Sequence, residues 1–204
     1  MPGSISETGL TTRRLEALTD GIFAISMTLL VLTLDLGDMV SGLTHAKLHQ
    51  LLLAQIPKFY NYALSFVLLA IFWILHHQQF HYIKRTEHRH LWINIFILMF
   101  VALIPFSTSV LGDYSGDWMA DVLFALNLFV LGMLFSLNWH YSTKDFRLIE
   151  GKLEKRHIEL GKRRGLVTPL VALLAILTAF VFPSYSPYVY LLIPIILSLP
   201  MFRN

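Results

Sequence analysis

The sequence contains no cysteine, which excludes disulfides, iron–sulfur clusters and thiolate zinc sites. Charge is also scarce: Asp, Glu, Lys and Arg make up 14% of the residues against 55% hydrophobic, and the mean hydropathy is +0.61. A chain this poor in charge carries more apolar surface than a soluble core can absorb. No glycine-rich phosphate loop and no Gly-x-Ser-x-Gly elbow is present, and Ser107, Thr108 and Ser109 have no matched base, so nucleophilic hydrolysis has no support. Strand-like alternation is missing, which points away from a barrel. So is any repeat of 20 to 50 residues, and a chain without two matching halves does not by itself make an inverted-repeat transporter.

What is present is a set of long apolar runs. Hydrocarbon offers no water to peptide groups, so a run of about 20 apolar residues crosses as a helix. The sequence predicts an all-α, polytopic membrane protein: one domain over 1–204 with six spans at about 17–36, 59–80, 91–111, 118–141, 166–182 and 188–201. The last is short and holds Pro194 and Pro200. The first run is too long for a cleaved signal and reads as a signal anchor. Residues 37–57 are predicted as an outer helix or loop, and Tyr114, Trp118, Tyr185, Tyr188 and Tyr190 as outer-interface anchors.

Six spans place every Lys and Arg except Lys47 and Lys58 on one side. Cytoplasmic loops collect such residues, so both termini and the basic loop 142–165 are predicted to be cytoplasmic, in a cell membrane. The stretch 143–164 reads as a solvated helical extension of the fourth and fifth spans. The basic balance, with a pI near 9.2, follows from this topology and from contact with membrane lipids. Nucleic acid is not a predicted partner.

The first span carries two features. On a helix, Ile25, Leu29 and Leu32 form a narrow i, i+4, i+7 stripe with Thr28 about 60° away. Several copies of this helix around an axis would stack aliphatic rings that gate by excluding water, with a hydroxyl beside the narrowing. The same stripe could simply face lipid. The second feature is Thr19 and Asp20 at the basic edge. A carboxylate there needs protein partners, and Trp73, His76, His77 and Asn94 lie at similar depth. Such a network chiefly sets helix register. Asp20 lies about 140° from Ile25, so a packing face and an open face are separate. His76, His77 and His81 include an i, i+4 pair but no intervening Glu, and neither a metal nor a cofactor is assigned. Asp35 and Asp38 could attract cations to an outer mouth.

The run Arg14-x-x-x-Leu18-Thr19-Asp20-Gly21-x-Phe23-Ala24-Ile25-x-x-Thr28-Leu29-Leu30-Val31-Leu32 resembles the prokaryotic members of the transmembrane protein 175 potassium channel family. Phe72-Trp73 with His76-His77, Leu91-Trp92-x-Asn94 and Leu103-Ile104-Pro105-Phe106 look like that family's second and third helices. Leu18 and Thr19 stand where the family's Arg-x-x-x-Phe-Ser-Asp head has Phe and Ser. The resemblance implies a homotetramer of six-helix subunits around a central pore lined by the first helix. It implies no carbonyl-loop filter, and Thr-Val-Gly-Tyr-Gly is absent from this chain. It places the hydrophobic constriction on Ile25, Leu29 and Leu32 beside Thr28, passing monovalent cations such as K+. Arg14, Thr19, Asp20, Trp73, His77 and Asn94 are assigned to the structural polar network. The reading is a passive channel and not an enzyme. A proton-coupled transporter with a His77 and Asp20 relay is the alternative, and a non-conducting scaffold is a third.

Overall fold

The computed structural model describes residues 12–34, 45–149 and 153–200, with side chains from 48 onward in the second stretch. They form helices α1 (Thr12–Leu29), α2 (His45–Ala54), α3 (Ile56–Tyr82), α4 (His88–Asp113), α5 (Trp118–Thr143), α6 (Lys155–Val181), α7 (Ser186–Val189) and α8 (Leu192–Ser198). Among the described residues, five helical stretches are long and apolar enough to cross a membrane. The fold is all-α and multi-pass.

The sixth apolar segment is helical but broken. A short 3-10 turn over Pro183–Tyr185 leads into α7, and a turn at Tyr190 and Leu191 separates α7 from α8. Pro194 explains the interruption at Tyr190, whose carbonyl it cannot donate to, while Pro187 sits in the first turn of α7, where no donor is needed. The amides around the break bond three residues back instead, Leu191 N to Tyr188 O at 3.2 Å and Ile193 N to Tyr190 O at 3.0 Å.

α5 packs between α4 and α6, while α1 packs on α4 and α3. The seam between α5 and α6 is built from small residues. Gly132 receives the ring of Pro169, Gly161 receives the indole of Trp139, and Gly165 meets Ser136. Glycines at such spacing let helix backbones approach closely where no hydrophobic effect drives them together. Asp117 caps α5, its Oδ1 accepting from Met119 N at 2.7 Å, one of the donors a helix start leaves unpaired.

The starts of α1, α4 and α6 and the ends of α3 and α5 carry most of the cations and are called the basic end below. There the chain departs from a plain solvated helical extension. α5 stops at Thr143, and residues 144–149 fold back on the bundle: Leu148 O accepts from Lys84 N and Arg85 N, and Ile83 bridges Ile149. Leu148 and Ile149 are buried with Leu15, Phe80 and Ile83. Apolar side chains amid charges thus tie the start of α1 to the α5–α6 connection. α6 begins at Lys155, well before its apolar run. At the opposite end Lys58 Nζ and Asp113 Oδ1 join α3 to α4 at 2.5 Å.

Candidate functional site: the two faces of the first helix

α1 buries Leu15, Thr19, Phe23 and Ser26, and the 3-10 turn that continues it over Leu30–Thr33 buries Leu30. The opposite side turns away from the rest of the chain. Ile25 is 55% exposed, Leu29 43% and Leu32 70%, and Thr28 is exposed with them. In a 3-10 helix positions i and i+3 eclipse, so tightening after Leu29 keeps Leu32 in line with it. The Thr28 hydroxyl donates back to Ile25 O at 2.8 Å and Ala24 O at 3.1 Å. Its hydrogen is spent on the helix, so its oxygen lone pairs are the part that can face a cation. Ala17, Gly21 and Ala24 are exposed on the same side, and a side chain added at Gly21 would meet no atom within 4 Å. Asp35 and Asp38 lie outside the described residues.

On the flank of α1, Trp73 Nε1 of α3 donates to Asp20 Oδ1 at 2.9 Å. His77, one turn further on, stacks on the Trp73 ring with centroids 6.0 Å apart. Asp20, Glu16, His76, His77, His81 and Lys84 line a polar cavity of about 330 Å³ here. Thr19 is fully buried beneath, and its hydroxyl meets no hydrogen-bond partner among the described residues. The carboxylate is therefore pinned by the indole, and no hydrogen bond joins it to His77, although both line this cavity. His76 instead turns into the bundle and stacks on Phe80 at 4.2 Å.

Two residues assigned to this network are not part of it. Arg14 is exposed on α1 and forms no ion pair among the described residues. Asn94 belongs to a second, fully buried cluster. Its Nδ2 donates to His90 O at 2.8 Å and Asn138 Oδ1 at 3.0 Å. Asn138 Nδ2 donates to Gln79 Oε1 at 2.7 Å, and Gln79 Nε2 to Phe135 O at 3.2 Å. His90 also joins through its Nε2, 3.2 Å from Asn94 Nδ2, while Thr86 Oγ1 lies 2.9 Å from its Nδ1. This cluster fixes the register of α3, α4 and α5 at the basic end. The readable signal for it was the set of polar residues Gln79, His90 and Asn138 at the depth of Asn94. Distance along the helix places them at one level, but which way each helix is rotated decided the pairing.

A family model described as "Endosomal/lysosomal potassium channel TMEM175" matches residues 14–105. A Streptomyces collinus protein named as a potassium channel is 32% identical over 147 residues, 69% of each chain. The chain belongs to the TMEM175 family. A second TMEM175 relative, from Chamaesiphon minutus and also named as a potassium channel, is 29% identical over 179 residues, 86% of each chain. The structure overlays the crystal structure of a lysosomal potassium-selective channel TMEM175 homolog from Chamaesiphon minutus with a TM-score of 0.79. That match is 25% identical and covers 93% of this chain and 97% of the other. TMEM175 membership accounts for the all-helical, multi-pass fold and separates the protein from enzymes. The matched segment spans α1, α3 and most of α4, the helices that carry the pinned aspartate and the open face.

Proposed function

We propose that this protein is a potassium-permeable cation channel: four copies surround a pore lined by α1, with Ile25, Leu29 and Leu32 as the constriction and Thr28 beside it. The observation that carries the reading is the composition of α1's open face. α6 presents an unbroken row of bulky residues outward, Leu166, Leu170, Leu173, Leu174, Leu177 and Phe180, which suits lipid. α1 interleaves Ala17, Gly21, Ala24 and Thr28 with its aliphatic stripe. Small residues let helices of neighbouring subunits converge, and stacked aliphatic rings make a narrow, dewetting passage. An ion passes such rings only by shedding water, so the ion that loses water at least cost, K+ before Na+, passes faster.

The pin between Asp20 and Trp73 holds α1 on α3 from the side, leaving the open face free to meet the axis. The chain crosses the membrane six times, the broken 183–198 segment making the sixth crossing, and the basic end faces the cytoplasm with both termini. No cofactor is needed, since dehydration and not chemistry is the selecting step.

Planar-bilayer recording on purified, reconstituted protein tests this. Wild-type protein passes current that reverses at the potassium equilibrium potential without any proton gradient. Leu29→Ala raises the conductance and lowers the preference for potassium over sodium. Unaltered currents in Leu29→Ala and in matched Ile25 and Leu32 variants, or flux that requires a proton gradient, refutes the assignment.

A further inference from the structure

At the basic end, α3 and α6 are separated by a groove that the described helices leave open. α8 packs against both helices, and its Leu197 closes one wall of an apolar cavity of about 180 Å³ with Ile71, Ile74 and Leu75 of α3 and Thr168 of α6. That cavity shares Leu75, Gln78 and Arg164 with a second, more polar one of about 310 Å³ nearer the basic end. Arg164 Nη1 donates to Gln78 Oε1 at 3.2 Å, a bond that holds the half-buried guanidinium across the gap. His81, His157 and the rings of Tyr82 and Trp139 complete the polar part. His157 Nδ1 is buried with no hydrogen-bond partner among the described residues, its nearest acid being Glu154 Oε2 at 3.8 Å.

We propose that this composite groove binds an anionic glycerophospholipid, its phosphate on Arg164 and one acyl chain along Ile71, Ile74 and Leu197. The order of chemistry along the groove is that of such a lipid: charge and hydrogen-bond donors at the interface, then a mostly aliphatic trough toward the membrane centre. Tyr82, half-buried, marks the headgroup level, where amphipathic rings settle. The planar guanidinium fork matches a phosphate. Lys162 and Arg163, adjacent in sequence, share the single carboxylate of Glu159 at 3.7 and 3.9 Å and leave one positive charge over, and basic pockets between membrane helices are known to take anionic headgroups. A free phosphate would leave the trough unfilled, whereas an acyl chain would cover Ile74, 47% exposed on its wall. The groove lies on α3 and α6 and away from the open face of α1, so this site stands or falls separately from the conduction proposal.

The test is native mass spectrometry and thermal unfolding of lipid-depleted protein in detergent, with added phosphatidylglycerol, phosphatidylcholine or inorganic phosphate. Phosphatidylglycerol is retained and raises the unfolding midpoint, while the other two do not. Arg164→Gln weakens retention by about tenfold or more, as loss of a charge-assisted contact does, and Arg164→Lys falls between. Ile74→Trp, at a half-exposed position, blocks the trough and weakens retention without removing charge, so it answers the question if Arg164→Gln does not fold. Lys155→Gln, at the same end but outside the groove, behaves as wild type. Equal effects of phosphatidylcholine, the whole effect from inorganic phosphate, no lipid retained at all, or unchanged retention in Arg164→Gln and Ile74→Trp overturns the proposal.

Discussion

Gly132→Ala should destabilise the subunit, although alanine is the better helix former. A Cβ at Gly132 would lie 2.6 Å from Pro169 Cδ, 2.8 Å from its Cγ and 3.2 Å from its N. Carbon pairs rest at about 3.5–4.0 Å, so α5 and α6 must part by roughly 1 Å. Pro169 cannot swing aside, because its ring is closed onto the backbone. Parting the helices also loosens the rest of the seam, where a Cβ at Gly161 would come 2.4 Å from Trp139 Nε1 and one at Gly165 2.7 Å from Ser136 Oγ. Overpacking of this kind costs about 1–3 kcal/mol, and the gain in helix propensity returns up to about 1 kcal/mol. The net expectation is a loss of about 1–2 kcal/mol.

Gly112→Ala supplies the contrast. Its nearest neighbour would be Lys58 Cγ at 3.4 Å, an aliphatic stem that can shift, so the propensity gain of about 0.5–1 kcal/mol should dominate. Thermal or denaturant unfolding of both variants in one detergent, followed by circular dichroism, reads the two signs. If Gly132→Ala is as stable as wild type while Gly112→Ala gains, contact between Gly132 and Pro169 does not set the spacing of α5 and α6, and the reasoning fails.

Trp73→Phe removes the donor to Asp20 and keeps the ring. At this partly exposed site a loss of about 0.5–1.5 kcal/mol in stability is expected, with the preference for potassium over sodium retained. A shift in selectivity at unchanged stability would contradict a purely pinning role. Asn138→Ala strands Gln79 Oε1 in a buried setting and leaves Asn94 Nδ2 with His90 alone. It should cost about 1–3 kcal/mol and speed hydrogen exchange at the basic ends of α3, α4 and α5, whereas exchange confined to α5 would show that the three helices are not coupled there.

Part of this protein was decided residue by residue along the chain. An apolar run is long enough to cross hydrocarbon regardless of its neighbours, so the five long helices could be read from the sequence in isolation. Helix geometry is likewise local, which is why Ile25, Leu29 and Leu32 share a side of α1 opposite the one that buries Thr19 and Phe23. The pair Asp20 and Trp73 was accessible because a carboxylate in the membrane demands a donor and few stood at its depth. The tertiary structure decided whatever depends on how each helix is turned about its own axis. Asn94 lay at the right depth for Asp20 but faces Asn138. Gly132 and Pro169 each look like a flaw in a helix until they are set against each other. Leu148 and Ile149 lie in a charged stretch that looked solvated, yet they are buried because Leu15, Phe80 and Ile83, distant along the chain, leave an apolar surface for them to cover. The groove between α3 and α6 stays open because α8, short and set off by the break before Pro194, lines only one wall of it. Composition sets the depth of each side chain in the bilayer, and packing alone sets the direction in which it points.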